Sequence, residues 1–134
     1  MPECYKVLRR VPGCDGGVSV FMDGEGLKTT YPPNVQVTAR IGGFLVFEKL
    51  SQAVEFVEQN NDIALDIWRA LGEEELPLPV VRLRLNFFYV LGFLKTATLL
   101  WAGAWHNARC EAWPLGTRAF RKVTCLEMVA WEGR

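Results

Sequence analysis

The stretch GGFLVFEKLSQAVEFVEQNND, residues 42–62, changes its hydrophobic period partway along. Residues 44–47 form a continuous apolar run, which is typical of a strand buried on both faces. Four apolar residues then recur at the spacing of one helical stripe: Leu50, Ala53, Val54 and Val57. Ser51 stands where a hydroxyl can cap the first turn. The segment therefore predicts a buried strand followed by an amphipathic helix over about residues 51–60.

The residues before this segment have the pattern of short strands separated by turns. Alternating or β-branched residues indicate strands at 4–11, 18–23 and 27–31, and residues 35–41 are a weaker candidate. Glycine and proline lie between these segments and supply the backbone angles that tight reversals need. A series of antiparallel strands is expected here.

Residues 62–71 fit two structures. Ile63, Leu65 and Ile67 alternate with other residues as in a strand, whereas Asp62 and Gly72 stand where the ends of a helix would be capped. We favour a strand because two β-branched isoleucines share the apolar face. Residues 72–79 then predict a loop, residues 80–87 a half-buried strand, and the segment after Pro114 and Gly116 a final strand.

A nineteen-residue run, residues 87–105, carries a single charge, Lys95. Its length is close to that of a membrane span. Three features favour a buried helix over about residues 90–104 instead. A charge near the middle of a span costs roughly 2.5 to 3.5 kcal/mol, the first residues of the run belong to the preceding strand, and basic residues flank neither end preferentially. No membrane span is predicted.

These segments together predict an α+β fold. Residues 1–134 are expected to form a single globular domain, since the length suits one domain and no linker divides the chain. The expected architecture is a mainly antiparallel sheet of about five to seven short strands, packed against two helices at about 51–60 and 90–104. Half of the residues are hydrophobic and 22% are charged, so the composition excludes disorder.

Charge excludes a general attraction to nucleic acid, because 15 basic residues balance 15 acidic ones. Locally, residues 48–79 are acidic and residues 80–134 are basic. The interpretation we favour is that the two segments neutralise each other or are solvated. The alternative is a nucleic-acid-binding accessory protein with five basic contact residues: Arg82, Arg84, Arg118, Arg121 and Lys122.

The four cysteines show no C-x-x-C pair and no zinc-site spacing, so neither a metal site nor a cofactor is predicted. The N-terminal residues lack the apolar core of a signal peptide, which favours a cytoplasmic protein with reduced thiols. Arginine outnumbers lysine and serine is scarce, a bias compatible with a thermophilic source. Disulfides pairing Cys4 with Cys14, or Cys110 with Cys125, therefore stay open.

His106 and Cys110 are the candidates for catalysis. They are four residues apart, so on a continuous helix they would share a face and could form a thiolate–imidazolium pair. That arrangement needs the helix to continue past Gly103, and no third group is placed to orient the imidazole. We favour a structural role for both and predict no catalytic residue.

Three of the five tryptophans lie within residues 101–113. A small domain has difficulty burying so much aromatic surface, and tryptophan and arginine dominate the energetics of protein interfaces. The predicted interface residues are Trp101, Trp105, Arg109 and Trp113. The expected partner is a second copy of the chain, as in a homodimer, or a host or viral protein.

Five stretches of the sequence are informative together: YKV at residues 5–7, VSV at 18–20, TTYPP at 29–33, GGFLVFEKLSQAVEFVEQ at 42–59 and WPLGTRAFRKVTCLEMV at 113–129. In these stretches the chain resembles small uncharacterised proteins of phages, other prokaryotic viruses and their hosts. The resemblance implies an α+β fold without an established activity and a viral or mobile-element origin. The function expected is that of a small, soluble, non-catalytic interaction protein, with nucleic-acid binding or a Cys110/His106 enzyme as alternatives.

Overall fold

A computed structural model of the protein describes residues 2–13, 15–19, 29–40, 42–60, 64–78, 82–83, 110–111 and 114–131. The strands, in chain order, are β1 (Glu3–Arg9), β2 (Gly17–Ser19), β3 (Thr30–Tyr31), β4 (Gln36–Thr38), β5 (Phe44–Phe47), β6 (Leu65–Leu76), β7 (Arg82–Leu83), β8 (Cys110–Glu111) and β9 (Thr117–Met128). A helix, α1 (Leu50–Gln59), lies between β5 and β6.

Four of these strands form a closed ring. The two long strands β6 and β9 pair antiparallel, and β1 pairs with the other edge of β6. Strand β5 closes the ring by pairing with both β1 and β9, so that Tyr5 lies opposite Phe47 and Phe44 lies opposite Phe120. Strands β2 and β3 continue from β1, and β4 continues from β9 beyond β5. The result is a small closed barrel.

The α+β prediction is therefore wrong. The structure is mostly β, and the described residues contain one helix rather than two helices packed on an open sheet. The predicted second helix at 90–104 lies outside the described residues. The error has a physical cause: the alternation of apolar and polar residues is the same for a strand that faces helices and for one that faces the inside of a barrel.

The interior of the barrel is filled with side chains. The largest fully buried residues include Tyr31, Phe44 and Phe120, and Trp68 joins the same cluster. The rings of Tyr31 and Phe44 meet edge to face at 5.3 Å between centroids, an arrangement that aromatic pairs prefer. Core side chains of this size hold the strands at a fixed spacing, as small barrels require.

The helix packs on the outside of the barrel. Ala53, Phe56 and Val57 are buried, and the ring of Phe56 lies 5.5 Å from that of Phe47. The sequence prediction of this helix is confirmed, but its cap is different. The helix begins at Leu50 with Lys49 as its N-cap, two residues before the Ser51 cap expected from the sequence. The side chain of Gln52 accepts a hydrogen bond of 3.0 Å from the backbone N–H of Lys49.

The ambiguous segment at 62–71 is a strand from Leu65 onward, as favoured from the sequence. Strand β6 also continues through Leu76, so the loop predicted at 72–79 is wrong over its first half. The register of the β6–β9 pair shifts once, since Arg69 lies opposite Glu127 and Ala70 lies opposite Cys125. Leu126 is the extra residue of this bulge, which turns Glu127 out to solvent while Cys125 stays buried.

Within the described ranges, no helix is both long enough and apolar enough to cross a membrane.

Candidate interaction surfaces

The connection from β6 to β9 is much longer than the barrel requires. The two strands pair directly as far as Leu76 and Ala119, so a short hairpin turn could join them. Residues 77–113, which we call the inserted segment, instead lie between them. The described part of that segment forms a separate two-stranded sheet of β7 and β8, and supplies no strand to the barrel.

Strands β7 and β8 bring the two ends of the aromatic-rich sequence together. Arg82 lies opposite Glu111 and Leu83 lies opposite Cys110 in an antiparallel pair. The two residues that flank residues 84–109, Leu83 and Cys110, are therefore neighbours in space. The predicted interface residues Trp101, Trp105 and Arg109 belong to this stretch, and Trp113 follows it; all four lie outside the described residues.

The candidate pair of His106 and Cys110 requires both residues to lie on one continuous helix, and Cys110 does not lie on a helix. The backbone of Cys110 is that of a strand paired with β7, and not of a helix. Residues four apart share a face on a helix, whereas Cys110 begins a strand. His106 lies outside the described residues.

Two of the predicted nucleic-acid contacts are engaged in ion pairs across the β6–β9 pair. Arg118 forms two hydrogen bonds with Glu75, of 2.8 and 2.5 Å, and Lys122 lies 3.1 Å from Glu74. The hydrogen bonds from Arg118 hold the pKa of the Glu75 carboxyl below its ordinary value, and the carboxylate raises the pKa of Arg118. The interpretation that the acidic and basic segments neutralise each other is thus confirmed at these positions.

The other three basic residues predicted to contact nucleic acid have no ion pair among the side chains that the structure describes. Arg121 lies between Phe120 and Lys122 on β9 and is exposed. Arg82 is placed by its backbone on β7, and Arg84 lies outside the described residues. The structure therefore brings Arg118, Arg121 and Lys122 together on one strand, but two of these three cations already face a carboxylate.

The two described tryptophans belong to the packing of the barrel. Trp68 is buried in the interior, and Trp131 is half-buried against the apolar cluster between helix and barrel. The aromatic residues that the sequence predicts for an interface are therefore the other three, all in the inserted segment.

Two of the described cysteines, Cys4 and Cys125, are buried and take part in no disulfide. Cys4 and Cys125 are fully buried and lie on opposite sides of Ala70, on β1 and β9. The disulfides left open from the sequence, Cys4 with Cys14 and Cys110 with Cys125, are thus absent. Burial raises the pKa of the Cys4 thiol to about 12, although the nearby Lys6 and Arg118 act in the opposite direction. A thiol of this kind is chemically inert.

Two open depressions lie on the surface of the described structure. One is lined by Arg10, Asp66, Met128, Val129, Ala130 and Trp131 and has a volume of about 220 Å³. The other, of about 230 Å³, lies between α1 and the turn at Pro114 and Leu115. Neither depression is evident from the sequence, because the residues that line each one come from separate elements. The one available signal was an isolated leucine in a turn, and Leu115 is 82% exposed.

The described residues contain no group of three or more histidine, cysteine, aspartate or glutamate side chains that could hold a metal ion. No family model, curated protein or solved structure matches the chain.

Proposed function

We propose that this protein is a non-catalytic interaction protein, in which the barrel is a scaffold that presents the inserted segment to a second copy of the chain. The observation that carries the proposal is the direct pairing of β6 with β9 up to Leu76 and Ala119. The four strands that close the ring, β1, β5, β6 and β9, are all described and none of them lies within residues 77–113. The longest apolar run of the sequence, residues 87–105, belongs to this connection between β6 and β9.

The composition of the inserted segment supports a role in binding. It contains Trp101, Trp105, Arg109 and Trp113, residue types that dominate the energetics of protein interfaces. A formal net charge of zero leaves little repulsion between copies. The packed interior of the barrel supports a scaffold role, because its volume is taken up by core side chains.

The alternatives from the sequence have weaker support. Binding of nucleic acid by Arg118 and Lys122 would have to compete with Glu75 and Glu74. Catalysis by Cys110 with His106 lacks the shared helical face. A viral or mobile-element origin and a cytoplasmic location belong to the proposal as well, and the proposed origin is supported by the sequence resemblance.

The experiment compares the full chain with a variant in which residues 84–109 are replaced by Asn-Gly. Leu83 and Cys110 are directly opposite each other in an antiparallel pair, which is the position that a two-residue turn connects. The variant is expected to unfold cooperatively and to sediment as a monomer, whereas the full chain forms a dimer. Circular dichroism checks that the variant retains its strands.

A matched control is Leu115→Ser, which removes an exposed apolar side chain outside the inserted segment. This variant is expected to associate as the full chain does. The proposal fails if the full chain sediments as a monomer at micromolar concentrations, or if the Asn-Gly variant is folded and still associates.

A further inference from the structure

Helix α1 and the turn that precedes β9 form the walls of the second depression. Its lining residues lie along one edge of the helix and in the turn: Gln52, Glu55, Phe56, Gln59, Pro114 and Leu115. Phe56 is buried and Pro114 is half-buried, whereas Leu115 is 82% exposed. A projecting leucine therefore stands beside a hollow of about 230 Å³ that has an aromatic ring in its lining.

The turn that carries Leu115 is held by hydrogen bonds on both sides. The backbone N–H and the hydroxyl of Thr117 both donate to the carbonyl oxygen of Pro114, at 3.2 and 2.6 Å. The backbone N–H of Glu48, just before α1, donates to the carbonyl oxygen of Gly116 at 2.9 Å. Leu115 is thus presented by backbone that is fixed in advance, which lowers the entropy cost of binding a partner.

The carboxylates of α1 differ from those of the barrel strands. Within the described part of the chain, no ion pair includes Glu55 or Glu58, and the contact of Glu55 is a hydrogen bond of 3.5 Å from the neutral side chain of Gln59. The strand carboxylates that form ion pairs are Glu3 and Glu127 with Arg69, Asp66 with Arg10, Glu74 with Lys122 and Glu75 with Arg118.

The two helix glutamates also lie towards the unfavourable end of α1. The last carbonyl groups of a helix carry a partial negative charge, which favours basic residues nearby. The last turn of α1 contains Glu58 and no basic residue. Glu55 and Glu58 are three residues apart, so they are neighbours on the helix surface and repel each other. The surface beside the depression is therefore negative, and a cation from another molecule would relieve both effects.

We propose that this surface docks a segment of a partner protein in which an aliphatic side chain is next to a basic one. The aliphatic side chain fills the depression against Pro114 and Leu115, and the basic group lies against Glu55 and Glu58. Covering a projecting leucine while filling the hollow beside it needs an extended apolar surface, which a small cation lacks. The carboxylates repel the phosphates of nucleic acid or lipid. This inference does not depend on the proposed function, since these residues lie outside the inserted segment.

The test uses acetyl-leucyl-arginine amide as the probe, with the full chain observed by amide NMR. Saturable shifts are expected at the backbone amides of residues 52–59 and 115–117. Acetyl-leucyl-glutamate amide, with the opposite charge, is expected to bind about fivefold more weakly at low salt, and added salt should reduce this difference. Acetyl-glycyl-arginine amide, which lacks the aliphatic side chain, is expected to cause no saturable shift.

Variants of exposed residues separate the two parts of the surface. Glu55→Gln with Glu58→Gln is expected to reduce the preference for the arginine peptide over the glutamate peptide to less than about twofold. Leu115→Ser is expected to weaken the arginine peptide about tenfold, because the apolar contact is lost. Glu3→Gln with Glu127→Gln makes the same change of net charge around Arg69 and is the matched control, which should bind as the parent does. Unchanged barrel amides show that each variant is folded.

The inference is overturned if the parent shows no saturable shift, or if the glutamate peptide binds as tightly as the arginine peptide at low salt. It is also overturned if the Glu55→Gln with Glu58→Gln variant keeps the full preference for arginine. Equal shifts with acetyl-glycyl-arginine amide would mark a small-cation site instead. Shifts at residues 52–59 that depend on protein concentration without any probe would assign the surface to a second copy, and would equally overturn it.

Discussion

Inside the barrel, the ammonium group of Lys6 donates a hydrogen bond of 2.9 Å to the carbonyl oxygen of Leu45. Lys6 is only 3% exposed, and its Nζ also lies 5.1 Å from the centre of the Tyr31 ring. Lysine is rarely so buried, and the hydrogen bond together with the cation–π contact offsets part of the cost of removing its charge from water. Lys6 thus links β1 to β5, two strands of the closed ring.

Replacing Lys6 with methionine is expected to lower the free energy of unfolding by about 1 to 3 kcal/mol, because the buried Leu45 carbonyl loses a donor. Lys6→Ala is expected to cost more, since it also leaves a cavity. Urea denaturation followed by circular dichroism measures both values. Arg121→Met on the exposed face of β9 is the control and should change stability by less than about 0.5 kcal/mol. Equal stability of Lys6→Met and the parent would contradict this account of Lys6.

Gly72 lies directly against the ring of Phe120 in the barrel interior. A Cβ placed on Gly72 would lie 2.5 Å from Cγ of Phe120, so the ring leaves no space for a side chain there. Gly72→Ala is therefore expected to destabilise the protein by about 1 to 3 kcal/mol. In the double variant Gly72→Ala with Phe120→Leu, part of that loss should be recovered, as measured in a double-mutant cycle of urea denaturation. If the losses of unfolding free energy of the two single variants simply add in the double variant, the Phe120 ring is not what excludes a side chain at position 72.

The buried thiol of Cys4 predicts a loss of stability in alkaline solution. Its pKa rises from an ordinary value of 9.0 in the unfolded chain to about 12 in the fold. The native state therefore favours the protonated thiol, and this contribution is complete below pH 9 and is lost as the pH rises towards 12. Unfolding free energies between pH 8 and pH 11, compared for the parent and Cys4→Ala, should show a shallower decline in the variant. Parallel curves would mean that the thiol does not contribute.

The ion pairs between β6 and β9 predict how the protein behaves towards nucleic acid. With Glu75 paired to Arg118 and Glu74 to Lys122, the parent should elute from heparin at low salt. The double variant Glu74→Gln with Glu75→Gln exposes both cations and should elute later. Strong, salt-dependent retention of the parent itself would favour the nucleic-acid alternative. Glu55→Gln with Glu58→Gln, on the exposed face of α1, is the control for the change in net charge.

The sequence allowed the individual elements to be predicted better than their assembly. Strand β5 and helix α1 follow from a change of hydrophobic period within residues 42–62, and β6 follows from the β-branched residues in its apolar alternation. Closure of the ring depends on pairings such as Tyr5 with Phe47, between residues far apart in the chain. No local pattern records such a pairing, so an open sheet covered by two helices fitted the sequence equally well.

The surfaces were predictable only in part. The neutralisation of basic by acidic residues followed from charge blocks in the sequence, because the two blocks belong to strands that pair. The depression at Arg10 and Asp66 could not be predicted from the sequence, since Asp66 resembles an outward-facing residue in the alternation of β6. In the structure it lies on the same face as the buried Trp68, at the end of the barrel, where Arg10 can pair with it.

The central claim is that the barrel is complete without the inserted segment and that this segment mediates association. Sedimentation equilibrium of the full chain, beside the variant with Asn-Gly in place of residues 84–109, tests it most directly. The account predicts a dimer for the full chain and a folded monomer for the variant. A monomeric full chain, or a folded variant with the same mass average as the full-length dimer, would contradict it.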